Sequence, residues 1–201
     1  MAAASSSTPS VFNHDVFHAR AKVFDISPKF MFFDPQGTQI GFLKQKLFKL
    51  KEDIRLYTDE SMTRELLLIK ARSIIDFSAA YDVIDALTGQ KAGALRRKGW
   101  RSLLRDEWEI LDANDQPVGM LFEDSMGRAL LRRFLLGTFL PQNYDVTIGS
   151  ERVADIRQRF NLFAYRLDLD FSMDAGRKLD HRMGIAAAIL LATVEGKQSS
   201  G

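Results

Sequence analysis

Residues 179–195 read LDHRMGIAAAILLATVE, and the twelve residues 183–194 within that stretch carry no charge. Asp180 can cap a helix here, so the spacing predicts one over about 180–195. A helix that is apolar on every side has no face to offer water and must be enclosed. At 1.5 Å per residue the apolar part is about 18 Å long, and a membrane-spanning helix needs about 20 residues. The stretch is therefore expected to be a core helix, and the rest of the chain has to supply its container.

The preceding sequence supplies one in the form of a repeated hairpin. The first copy runs Phe33, Asp34, Gly37, then Ile40, Gly41 and Leu43; the second runs Tyr81, Val83, Asp85, Gly89, then Ala92, Gly93 and Leu95. The third runs Trp108, Ile110, Asp112, Asp115, then Val118, Gly119 and Leu121, and a looser fourth runs Tyr144, Val146, Ile148, Gly149, then Val153, Ala154 and Ile156. Gly and Asp supply the positive φ of tight turns, and the flanking residues alternate apolar with polar at the strand period. The small residue after each turn marks a bulge or a close backbone approach. The interval from Gly41 to Gly93 is twice that from Gly93 to Gly119, so a degenerate copy is expected between them. Ile54 to Ile69, with Asp59, Glu60 and Ser61 as its turn, fits that slot.

With entry segments near Val23 and Phe30 and a last strand around Phe163 to Phe171, the count comes to about twelve strands. The fold class is accordingly mainly β: a closed antiparallel barrel of about 12 strands around the buried C-terminal helix. The domain is expected to span 20–195, with 1–19 and 196–201 as disordered tails. One further helix is expected after Ser125, with Leu130, Leu131, Phe134 and Leu135 on one face and Arg128, Arg132 and Arg133 on the other, ending at Gly137 and Pro141.

Composition fits one globular domain: 201 residues, 46% hydrophobic and 27% charged. The absence of cysteine excludes a disulfide framework and a thiolate metal site, and points to a reducing cytoplasm. The Ala/Ser-rich residues 1–10 lack the basic and apolar regions of a signal peptide. A net charge of +2 and a pI near 8.9 allow attraction to anionic surfaces but fall short of a nucleic-acid-binding stripe.

In the order of these marks the chain resembles the tubby-like C-terminal superfamily, in particular its LURP-one-related and phospholipid-scramblase-like branches. The resemblance is carried by WEILDANDQPVGML (108–121), PQNYDVTIGSERVADI (141–156) and LDHRMGIAAAILLATVE (179–195), and it extends over about residues 20–195. It implies a twelve-stranded barrel with a threaded helix, and a role in binding membrane phospholipids or in regulation at membranes. The phosphoinositide-binding basic residues of tubby have no matching motif here, and scramblase activity does not transfer without that branch's cysteines. The calcium segment of that branch precedes the final helix, and Asp168, Asp170, Ser172 and Asp174 stand in the matching region.

Those four residues have the oxygen ligands a hard cation wants, but the turn Gly and distal bidentate Glu of a calcium loop are missing. Their alternation with Leu167, Leu169 and Phe171 favours a strand with an acidic outer face. His14 and His18 have i, i+4 spacing but no third ligand or Glu base, so they read as an exposed pair near the tail. His181 reads as a residue of the helix entrance, and no serine elbow or glycine-rich phosphate loop is present. The remaining candidate is basic: Arg96, Arg97, Lys98 and Arg101, with Arg105, surround Trp100, a pairing of cations and an interfacial aromatic that suits an anionic lipid headgroup. The plainer reading is a solvated hairpin end.

The expected function is thus that of a non-enzymatic barrel without catalytic residues, metal or cofactor, acting as a binding or regulatory module for anionic phospholipid membranes through Arg96, Arg97, Lys98, Trp100 and Arg101. The alternative is a soluble scaffold that binds another protein. Nucleic acid is not an expected partner, and the expected location is the cytoplasm, peripheral at the membrane.

Overall fold

A computed structural model describes residues 10–22, 29–44, 53–72, 80–98, 107–123, 143–159 and 164–195. They form twelve strands: β1 (Val16–Lys22), β2 (Lys29–Phe33), β3 (Gln39–Lys44), β4 (Ile54–Tyr57), β5 (Glu65–Ala71), β6 (Ala80–Asp85), β7 (Lys91–Arg97), β8 (Glu107–Leu111), β9 (Pro117–Glu123), β10 (Asn143–Ile148), β11 (Glu151–Arg159) and β12 (Ala164–Asp170). Each strand pairs antiparallel with its neighbour in sequence, and β12 pairs with β1 to close the barrel. Helix α1 (His181–Leu190) and a π-helical continuation (Leu191–Glu195) follow. This is the architecture expected from sequence.

The up-and-down order puts all five described hairpin turns and the start of α1 at one rim, called here the hairpin rim. The other ends of the strands form the far rim. The repeated Asp organises the hairpin rim. Asp34 accepts from Thr38 N, Asp59 from Ser61 N, Asp85 from Leu87 N and Thr88 N, and Asp112 from Asn114 N and Gln116 N. A short carboxylate satisfies turn amides that the ladder cannot reach. Gly37, Gly89 and Gly149 have φ of +84°, +69° and +57°, and Asp115 occupies the equivalent left-handed position at +66°.

The second half of the repeat is a bulge. Register shifts opposite Ile40, Leu66, Ala92, Val118 and Val153 leave one extra residue in the second strand of every described hairpin. In four of the five a small residue follows immediately (Gly41, Gly93, Gly119 and Ala154), whereas Leu67 follows in β5, and two of these glycines lie close to neighbouring backbone. A Cβ on Gly93 would lie 2.4 Å from the Leu111 carbonyl and 2.9 Å from Met183 Sδ of α1, and one on Gly119 would lie 2.2 Å from the Thr147 carbonyl.

Inside the barrel, Met183, Ile185, Ala186, Ala187, Ala188, Ile189 and Leu190 are buried against inward side chains such as Phe17, Leu67, Trp108 and Tyr144. Asp180 caps α1 by accepting from Arg182 N, as its sequence position suggests. The barrel starts earlier than the expected boundary at residue 20: β1 begins at Val16, and Phe17 is fully buried. The alternation of Phe17, Ala19 and Ala21 is a real inward face, but two small side chains give it little weight in the sequence. The helix expected after Ser125 lies outside the described residues.

Candidate functional site

The basic segment named from sequence divides between two faces and the undescribed residues. Arg96 points outward and donates through Nε and Nη2 to Glu109 on β8, at 2.9 and 2.6 Å. Lys98 reaches the other oxygen of Glu109 at 3.4 Å. Burial acts to raise the Glu109 pKa, but the Arg96 and Lys98 charges outweigh it and hold the carboxyl below its usual range. Arg97 shares the inward face with Leu95 and stands opposite Trp108 in register, its Nε buried. Trp100, Arg101 and Arg105 lie outside the described residues.

The four calcium candidates serve three separate tasks. Asp168 faces outward on β12, where it accepts from His18 Nδ1 at 2.7 Å and pairs with Arg159. Burial works against the charged form, but these two partners hold Asp168 below the usual carboxylate range. Asp170 accepts from Ser172 N at 2.9 Å and Ser172 Oγ at 2.5 Å. Asp174 is buried and accepts from Lys178 N and Leu179 N at 2.9 and 2.8 Å, which shapes the approach to α1. Among the described residues no group of three or more His, Cys, Asp or Glu gathers in a way that could hold a metal ion.

The histidines also part company. His14 precedes β1, whereas His18 is half-buried within it, so no helix face carries both. His181 is buried at the hairpin rim, donates through Nδ1 to the Phe12 carbonyl at 3.0 Å and stacks on Phe171 at 4.3 Å. Its Nε2 is buried with no hydrogen-bond partner among the described residues. Burial, with the Arg177 charge nearby, pushes its pKa down.

Strand pairing assembles a basic feature that sequence reading did not find. Arg159 on β11 stands opposite Arg166 on β12, and Arg166 stands opposite Arg20 on β1. All three alternate with inward residues and are exposed on the outer face. Arg159 contacts Asp168. Among the described residues Arg166 and Arg20 have no carboxylate partner, and Arg20 instead lies over the Phe33 ring at 5.0 Å. Elsewhere on the surface, Arg55 pairs with Glu65, Arg72 with Asp82 and Arg152 with Asp145. Each arginine of the row sits in a strand with ordinary alternation, so only the register reveals it.

A closed twelve-strand antiparallel barrel threaded by a C-terminal helix defines the class of this protein. The profile of the LURP-one-related family matches residues 39–192, more than half of the chain, and the chain belongs to that family. The match begins at β3, so β1 and β2, which complete the closure, precede it. No curated protein matches the chain. Among solved structures, the X-ray structure of a protein from Arabidopsis thaliana is similar over 90% of this chain and 91% of its own, with a TM-score of 0.51 and 12% identity. At that identity the likeness is one of fold.

Proposed function

We propose that this protein is a non-enzymatic module that associates with anionic phospholipid membranes through the outside of its barrel, a tubby-like relation to the scramblase branch included. The observation that carries the reading is the filled interior. Helix α1 and the inward side chains occupy the space in which a barrel would otherwise hold a small ligand. Binding then falls to the outer face and the rims, where a net positive chain presents Arg20 and Arg166, which among the described residues have no carboxylate partner. Such an association is reversible and needs neither metal nor cofactor.

The test is vesicle flotation of the purified chain. Vesicles containing phosphatidylserine should carry the protein up the gradient at low salt, pure phosphatidylcholine should not, and raising the salt should release it, because exposed charges are screened within about 10 Å at 0.1 M salt. A chain that stays at the bottom with every anionic vesicle would refute this reading and leave the binding of another protein as the alternative.

A further inference from the structure

We infer that the outer face of β11, β12 and β1 is the surface that meets the membrane, with Arg159, Arg166 and Arg20 as its phosphate-binding line; this rests on the lipid reading above and says where the contact is made. Adjacent strands are about 4.8 Å apart, so the three arginines form a line about 10 Å long across the sheet. Like charges directly opposite one another destabilise a sheet. One pleat closer to the hairpin rim the same strands obey the ordinary rule: Arg157 faces Asp168, and Asp168 faces His18. The arginine row breaks it, as does Asp155 opposite Asp170 nearer the hairpin rim, but there Arg152 and Arg157 both reach Asp155. A local rule broken with only partial compensation marks a place where a sequence answers to something besides the fold.

Compensation from within the protein is partial. Asp168, the contact of Arg159, is already shared with His18. Arg166 has no partner among the described residues, and Arg20 is held down on Phe33 rather than neutralised. The charge along this side of the barrel is also graded. Near the hairpin rim Asp155 stands opposite Asp170, then comes the mixed row, then the arginines. Toward the far rim Lys29 and Lys44 stand opposite each other on β2 and β3, both exposed, with Lys29 3.8 Å from Glu60. The basic half is bordered by half-buried Met31, next to Arg20 in register, and by Phe33.

Guanidinium groups bind phosphate oxygens in a fork and are weakly hydrated, which suits headgroup phosphates at an interface. Their arrangement limits what they recognise. Three exposed guanidiniums in a line on a sheet do not converge on one point, so they fit many neighbouring phosphates better than one polyphosphate. The occupant is therefore the headgroup layer of an anionic bilayer, recognised by charge density rather than by headgroup identity.

The experiment compares flotation of the native chain with that of Arg20→Gln/Arg166→Gln, Arg20→Lys/Arg166→Lys and the equal-charge control Arg96→Gln/Lys98→Gln. Phosphatidylcholine vesicles carry phosphatidylserine or phosphatidylinositol at matched anionic fraction. Each basic residue at an anionic surface contributes roughly fivefold in partitioning, so the Arg20/Arg166 glutamine pair should bind roughly thirtyfold more weakly to both lipids. The lysine pair should keep most of the binding, and the Arg96/Lys98 pair should lose about twofold or less. Thermal stability of the Arg20/Arg166 glutamine pair should be unchanged or higher, because a repulsion is removed. Binding of that pair equal to the native chain would overturn this face as the site while leaving the lipid reading intact. A loss in the lysine pair as large as in the glutamine pair would overturn the charge-density description. Failure of the native chain itself to float would remove the lipid reading, and this proposal with it.

Discussion

The carboxylate of Asp85, at the end of β6, accepts a hydrogen bond from Arg182 Nη1 at 2.7 Å and so ties a hairpin turn to the first turn of the enclosed helix. The same carboxylate accepts from Leu87 N and Thr88 N at 2.9 and 3.0 Å, and it is 1% exposed. Burial alone would raise its pKa, but the Thr88 amide and Arg182 hold it below the usual carboxylate range. Removing one partner of a buried pair leaves the other uncompensated and costs about 3–5 kcal/mol. Asp85→Ala should reach the lower end of that range in urea denaturation. Asp85→Asn should lose less, since its side-chain oxygen can still accept from the turn amides.

Gly184 passes directly over Phe171: a Cβ there would lie 2.3 and 2.5 Å from ring carbons. The ring cannot retreat, with His181 stacked on it and Phe17 edge-on at 5.7 Å. Ala is favoured over Gly in a helix by about 1 kcal/mol, but forcing a methyl into a filled core costs about 1–3 kcal/mol. Gly184→Ala should therefore lower the melting temperature, and Phe171→Leu in the same chain should restore part of the loss.

Gly89 separates backbone strain from crowding. Its φ is +69° and a Cβ there would touch nothing within 4 Å. Gly89→Val should still destabilise by at least about 1 kcal/mol, whereas Gly89→Asn, a residue that tolerates the left-handed region, should be close to neutral. Equal melts for both variants would mean the turn does not require positive φ.

How much of this was legible follows from which interactions are local. The turn Asp, the left-handed residue, the bulge and the small residue fall within one hairpin, so Asp85, Gly89, Ala92 and Gly93 could be read from spacing. The enclosed helix was legible because twelve uncharged residues allow no exposed face. The arginine row was not, because Arg20 and Arg166 become neighbours only through the β1–β12 closure. Nor could spacing show that Glu109 answers Arg96 and Lys98, since cross-strand partners depend on register. Phe17 does not stand out as a barrel residue in the sequence, because its inward companions Ala19 and Ala21 are only alanines.

His181 gives a pH dependence with a definite sign. Its folded-state pKa is depressed below the unfolded value of 6.5, chiefly by burial. The unfolded chain therefore binds the proton first, so this contribution is intact above pH 6.5 and is lost as the pH falls from 6.5 toward the folded-state pKa. Denaturation midpoints should decline over that interval, and His181→Phe should flatten the slope even if it lowers stability at neutral pH. The carboxylates Asp82, Asp85, Glu109 and Asp168, all held below their usual range, add a separate loss at more acidic pH.

Leu190 is 1% exposed near the end of α1. Leu190→Asp would place an unpaired charge inside the barrel, with a penalty of several kcal/mol that few domains of this size survive. Expression without a cooperative thermal transition is the expected result. A variant as stable as the native chain would contradict enclosure of the helix.

The pairing of Val16–Lys22 with Ala164–Asp170 also orders events in time. During synthesis the first strand leaves the ribosome long before its closing partner exists, and the helix that fills the centre emerges later still. Until then β1 has a free edge and the inward side chains of the sheet have nothing to cover them. Non-local contacts of this kind slow folding and expose apolar surface. The chain thus completes its core only once residues 181–195 are in place, and truncation before residue 181 should yield a strand-rich species that aggregates.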